Sequence, residues 1–325
     1  SQAVLEMMPP GYSAAMAQDE RFDEALRLKS ALRAEKVGAL SIDALAAMFD
    51  AVAFKEGELA KPLSSAEAME DVRAQALLYR AVKVSTIPSA SAELMHKAFT
   101  LARHQGMYSS IARLYWPVVR GLTASGAFTS VSLDLARLAL INGDQALAFS
   151  WFDLARQSGQ VLASELIDLR VLLAATAATE QLAWRSEEPY EWLGMGMSDA
   201  AMTRRIHEIL LLEGLGYPIT RNAGVRMLGA DSQLTSLVVS PVVMTRLKSA
   251  LVGNRQGESL LLSLVALGDE PSQLTRSHLV ELFGALAQQG LHQDGRRIVF
   301  DALLEGQLHA AQAAHLLREM ALTGE

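Results

Sequence analysis

Glu187, Glu188 and Glu191 crowd together beside Tyr190 and Trp192 in the segment 185–198, RSEEPYEWLGMGMS. Carboxylates set close to aromatic rings are what sugar chemistry uses: one acid protonates or attacks at a glycosidic bond while rings stack on the pyranose faces. The same residues admit a second reading, an inter-domain loop whose acids are solvated and whose Trp192 is tucked inward. Pro189, Gly194 and Gly196 favour a loop, because none of them sits comfortably in a regular element. A further candidate for partner binding is Trp151. Tyr115, Trp151 and Phe152 read first as inter-helix core; the alternative is a groove-facing Trp151, since its neighbour Phe152 takes the core position of that helix.

Other chemistries lack their residues. There is no cysteine, so disulfides, thiolate nucleophiles and cysteine-bound metals are excluded. His96 and His104 lie two helical turns apart, His309 and His315 fall on nearly opposite helix faces, and no HExxH spacing occurs, so no metal ligand set is expected. No G-x-S-x-G presents a serine nucleophile, and Gly194-Met195-Gly196 lacks both a preceding strand and the third glycine of a dinucleotide fingerprint. The expectation is no catalytic, cofactor-binding or metal residue, and a protein that is not an enzyme.

The elements that position these residues are helices. Half of the 325 residues are hydrophobic but only 6% are aromatic; alanine and leucine, both strong helix formers, carry the apolar content. The predicted fold class is all-α, an irregular α-solenoid of antiparallel helix pairs with roughly fourteen helices. Residues 1–17, with Pro9-Pro10-Gly11, read as a flexible lead-in, 18–185 as an N-terminal repeat region and 186–325 as a C-terminal helical region. Helices are expected at about 19–36, 41–54 with a Ser41 cap, and 64–82 with a Ser64/Glu67 capping box. They continue at about 90–105, 108–122, 130–142, 145–158, 161–184 and 199–212, the last capped by Asp199. After a Gly- and Pro-containing stretch, 214–229, Ser240-Pro241 opens a helix to Leu251, followed by 256–268, 274–289, 292–305 and 308–322. Pro117 falls inside one of them and predicts a kink.

Within 131–159, VSLDLARLALINGDQALAFSWFDLARQSG, small and large apolar residues recur where two antiparallel helices would interlock. Gly143-Asp144 supplies the turn, Leu135 and Ala136 a large–small pair, and Ala148, Phe152 and Ala155 a single face at i, i+4 and i+7. This unit resembles a tetratricopeptide repeat, with Ala139 in place of the usual aromatic and Gln160 where proline is common. Degenerate counterparts lie around Gly106 (Ala98, Phe99, Ile111, Tyr115, Val118) and Gly290 (Leu282, Phe283, Gly295, Val299, Ala302). The resemblance implies stacked helix pairs with a groove for a peptide or protein.

Charge and hydropathy narrow the partners. A formal charge of −7 without a basic cluster argues against nucleic acid, and Arg204-Arg205 and Arg296-Arg297 read as solvated faces. The apolar run Leu260–Leu267, broken by Ser263, is far short of the ~20 residues of a membrane span, so the chain is expected to be soluble. Missing cysteine fits the periplasm and the cytoplasm alike; a removed signal peptide would select the former. The expected function is a scaffold binding a peptide or protein, with self-association possible. The alternative is a glycan-associated protein similar to the superhelical region of soluble lytic transglycosylases, although Glu258-Ser259 leads into LLLSLVALG and not into their catalytic motif.

Overall fold

The computed structural model describes residues 10–69, 72–177, 182–194, 197–230, 239–268 and 276–323. Among these residues there are eighteen α-helices, fourteen of them ten residues or longer, one 3-10 turn and no strand. The all-α expectation is met, with packing largely between sequence neighbours. The chain divides into two compact units, Ser1–Leu162 with Ala311–Glu325, and Ala163–Ala310.

The first unit contains α1 (Pro10–Gln18), α2 (Glu24–Lys36), α3 (Ile42–Ala51), α4 (Glu56–Ala60), α5 (Pro62–Ala68), α6 (Arg73–Val84), α7 (Pro88–His104) and α8 (Tyr108–Val119). A 3-10 turn (Gly126–Val131) then leads into α9 (Ser132–Ile141) and α10 (Gln145–Ser158). Its core is threaded by aromatic rings, each edge-on or tilted to the next. Phe49 of α3 lies 6.2 Å from Tyr79 of α6, Tyr79 lies 5.5 Å from Tyr115 of α8, and Tyr115 lies 5.3 Å from Phe99 of α7. Buried charge is paired: Arg113 makes a bidentate bond to Glu35 at 2.6 and 2.9 Å, and Asp134 accepts from Arg103 and from the Tyr108 hydroxyl. Burial alone would raise the Asp134 carboxyl, but Arg103, Arg137 and Tyr108 more than offset it and hold it below its ordinary value.

The α9–α10 pair follows the sequence closely. Gly143 takes φ +81°, Asp144 accepts the Leu147 amide at 3.0 Å, and Gly159 ends α10 in the left-handed region at φ +65°. Leu135, Ala136, Ala148 and Ala155 are fully buried. Asp144→Ala removes the cap and is expected to cost about 1 kcal/mol, measured by urea unfolding; no change would show that solvent serves that amide equally well.

Several boundaries differ from expectation, each for a local reason. Residues 10–18 are not a loose lead-in but helix α1, with Ser13 and Ala17 buried; residues 1–9 lie outside the described set. The helix expected from residue 19 starts at Glu24, because the Asp19 carboxylate binds Arg21 in a turn and Asp23 caps Leu26. The Ser64/Glu67 box does not form. Pro62 starts α5 at its first position, Ser64 bonds back to the Lys61 carbonyl, and Glu67 pairs with Lys97.

The second unit contains α11 (Ala163–Thr176), α12 (Glu188–Trp192), α13 (Asp199–Gly214), α14 (Arg221–Ala230), α15 (Pro241–Val252), α16 (Gln256–Leu267) and α17 (Arg276–Gln288). Helix α18 (His292–Thr323) begins here, and its residues from Ala311 onward belong to the first unit. Ser198, not Asp199, caps α13, its hydroxyl accepting the Ala201 amide. The stretch 214–229 carries α14. The two helices expected at 292–305 and 308–322 are one, since a helix interior tolerates Gly306 at a cost of about 1 kcal/mol and Gln307 anchors it by donating to the Asp168 carbonyl at 2.9 Å. The carbonyls that end α11 are satisfied by two side chains. The Tyr217 hydroxyl lies 2.7 Å from the carbonyls of both Ala174 and Ala177 and has one proton to give to either, and Arg296 donates to Ala177 at 2.8 Å. Arg296 is thus a helix cap and not the solvated residue its sequence context suggests.

Candidate functional site

The 185–198 segment lies within the second unit, and α12 sorts its residues onto two sides. Glu188 is buried, gripped by Arg170 at 2.9 and 3.1 Å, with the Arg185 guanidinium at 3.5 Å. Trp192 is buried edge-on to Trp184, ring centroids 5.5 Å apart. Glu187 and Tyr190 are exposed, and Glu191 pairs with Arg185 at 2.9 Å. Sugar chemistry needs a carboxylate free to exchange a proton with substrate; Glu188 spends its oxygens on guanidinium groups, and Trp192 offers no face for stacking. Met195 and Gly196 lie outside the described residues.

Trp151 is in the core, 0% exposed and edge-on to Phe128 at 5.8 Å, and is more deeply buried than Phe152. The burial agrees with the core reading of Trp151 and not with the groove-facing alternative, and the 3-10 turn explains why. It lays Phe128 over α10 on the side that a simple two-helix repeat would leave open. Among the described residues no group of histidine and acidic side chains could hold a metal ion, and no helix is long and apolar enough to cross a membrane.

The surface with the most unusual chemistry is on α16. Its buried residues are Ser259, Ser263, Ala266 and Leu267, whereas Leu261 is 65% exposed, Leu264 53% and Val265 65%, with Leu260 beside them. Positions 260, 261, 264 and 265 fall on one helix face, so the leucines form a continuous apolar stripe while serines point inward. Each serine is neutralised by its own helix: Ser263 Oγ donates to the Ser259 carbonyl at 2.8 Å and Ser259 Oγ to Gln256 at 2.9 Å. Small buried residues let α15 and α16 approach closely, which fixes the helix with its greasier face outward. On α15, Val242 and Val252 are exposed as well.

The chain matches no family model, no curated protein and no solved structure. The functional reading therefore rests on this geometry. In the sequence, 260–267 is a short apolar run broken by Ser263. The signal it held was the i, i+4 spacing of Ser259 and Ser263 with Ala266 beyond, a small-residue stripe that marks the inward face.

Proposed function

We propose that this chain is a non-enzymatic helical binding protein, and that α16 docks an amphipathic helix of a protein partner along Leu260, Leu261, Leu264 and Val265. One observation carries the reading: α16 is inverted, burying serines and exposing leucines. A helix free to choose would turn its leucines inward, because burying one such side chain is worth about 1.5–3 kcal/mol. Contiguous exposed apolar surface flanked by charge, here Arg255 and Glu258, is typical of protein contact sites. The tetratricopeptide-like character of 131–159 agrees with a scaffold role, with the partner meeting the second unit and not an aromatic-lined groove around Trp151.

The double variant Leu261→Asp/Leu264→Asp tests this. Both side chains are exposed, so far-UV circular dichroism and Tm are expected to stay within a few degrees of wild type. Partners recovered by in-cell photo-crosslinking at position 265 are expected to disappear. Retained crosslinks in the double variant, or none in wild type, would sink the proposal. A crosslink only to a second copy would reassign the stripe to self-association.

A further inference from the structure

The second unit also holds a small cavity of about 170 Å³ between α13 and α18. One wall is Thr203, Arg204, His207, Glu208 and Leu211 of α13; the other is Ala302, Leu303 and Gly306 of α18. The space exists because α18 presents small residues there, and a Cβ added at Gly306 would meet nothing within 4 Å. An engineered apolar cavity of about 150 Å³ takes up benzene, so this volume admits a ligand of that size with one polar group added.

The polar end of the cavity is built with unusual care. Arg205, only 1% exposed, donates to Glu208 at 2.6 Å and to Asp168 of α11 at 2.5 Å. Arg204 bridges the same two acids at 2.8 and 3.2 Å, and Gln307 donates to Glu208 at 3.5 Å. Burial pushes the Glu208 carboxyl upward, with the Arg205 and Arg204 guanidinium groups pulling against it. Two guanidinium groups face two carboxyl groups and are engaged by them. A charged ligand would find no spare counter-ion in this cluster, and the site discriminates against it. Arg205 Nε and Gln307 Oε1 are buried here without a protein partner, and His207 shares that property. Its Nε2 is buried with no protein partner, and burial lowers its pKa to about 4, so the ring is neutral at pH 7 and can hydrogen-bond without adding charge.

We propose that the α13–α18 cavity binds a small uncharged molecule that combines an apolar ring or branched body, seated on Leu211, Ala302 and Leu303, with one hydroxyl-type group hydrogen-bonded to His207. The site is separate from the α16 stripe and does not depend on it. A phenol is the simplest molecule of this class.

The probes are phenol, benzene, benzoate and benzylamine, titrated into the full chain at pH 7 and followed by the imidazole NMR resonances of His207. Phenol is expected to shift them saturably and to bind at least about fivefold more tightly than benzene, the worth of roughly one net hydrogen bond. Benzoate and benzylamine are expected to bind more weakly than phenol. Gly306→Leu, which adds side-chain volume to the cavity from the α18 wall, is expected to abolish the phenol response. In His207→Phe, read from Tm shifts, phenol is expected to lose its advantage over benzene. The proposal is overturned if phenol gives no saturable shift, if the shift survives in Gly306→Leu, or if benzoate or benzylamine binds more tightly than phenol.

Discussion

Arg205→Ala is expected to destabilise the 163–310 unit by about 3–5 kcal/mol, among the largest single-residue effects in the chain. The wild-type guanidinium is fully buried and bonded to Glu208 and Asp168. Removing it leaves two carboxylates in a desolvated site with Arg204 as their remaining cationic partner within the cluster. The cost comes less from lost bonds than from stranded charge, so replacing Arg205, Asp168 and Glu208 together by apolar residues of similar volume is expected to cost much less than Arg205→Ala alone. Urea unfolding followed by fluorescence reads the effect, since two of the four tryptophans, Trp184 and Trp192, belong to this unit. A loss below about 1 kcal/mol for Arg205→Ala would mean that water screens the cluster despite its burial.

Trp151→Ala is expected to cost about 3–5 kcal/mol in the first unit, because it opens a large cavity among fully packed neighbours. The milder Trp151→Phe is expected to cost much less. The indole Nε1 is buried with no protein partner, so phenylalanine removes an unsatisfied donor along with the second ring. The comparison separates a core residue from a binding residue. A core Trp151 gives a graded loss of stability across Phe and Ala, whereas a groove-facing one would weaken partner capture while leaving the unfolding midpoint near wild type. Circular dichroism at increasing urea checks the first outcome, and crosslinking at position 265 checks the second.

The residues whose roles are legible in the chain share a property: each role is decided by neighbours within a few positions. Gly143 and Asp144 are an example, since a left-handed glycine followed by a capping aspartate specifies a turn whatever surrounds it. Ser240-Pro241 is another, with proline at the first position of α15. Where local signals competed, the chain misled. Ser64 and Glu67 have capping-box spacing, but Pro62 lies upstream and starts the helix first.

Composition and local spacing determined that this protein is all-α, that its helices pair with their neighbours, and that 131–159 forms an interlocking pair. Tertiary structure alone decided which side chains are available to act. Arg204-Arg205 looks like a solvated dipeptide until Asp168, 37 positions away, closes on it. Glu188 looks like a loop acid until Arg170 takes both of its oxygens. The α16 leucines look like core until the helix is seen to bury its serines instead. The physical reason is common to all three: a helix specifies its own geometry through bonds four residues apart, but which face it buries, and which charge it neutralises, depends on residues brought together from distant parts of the chain.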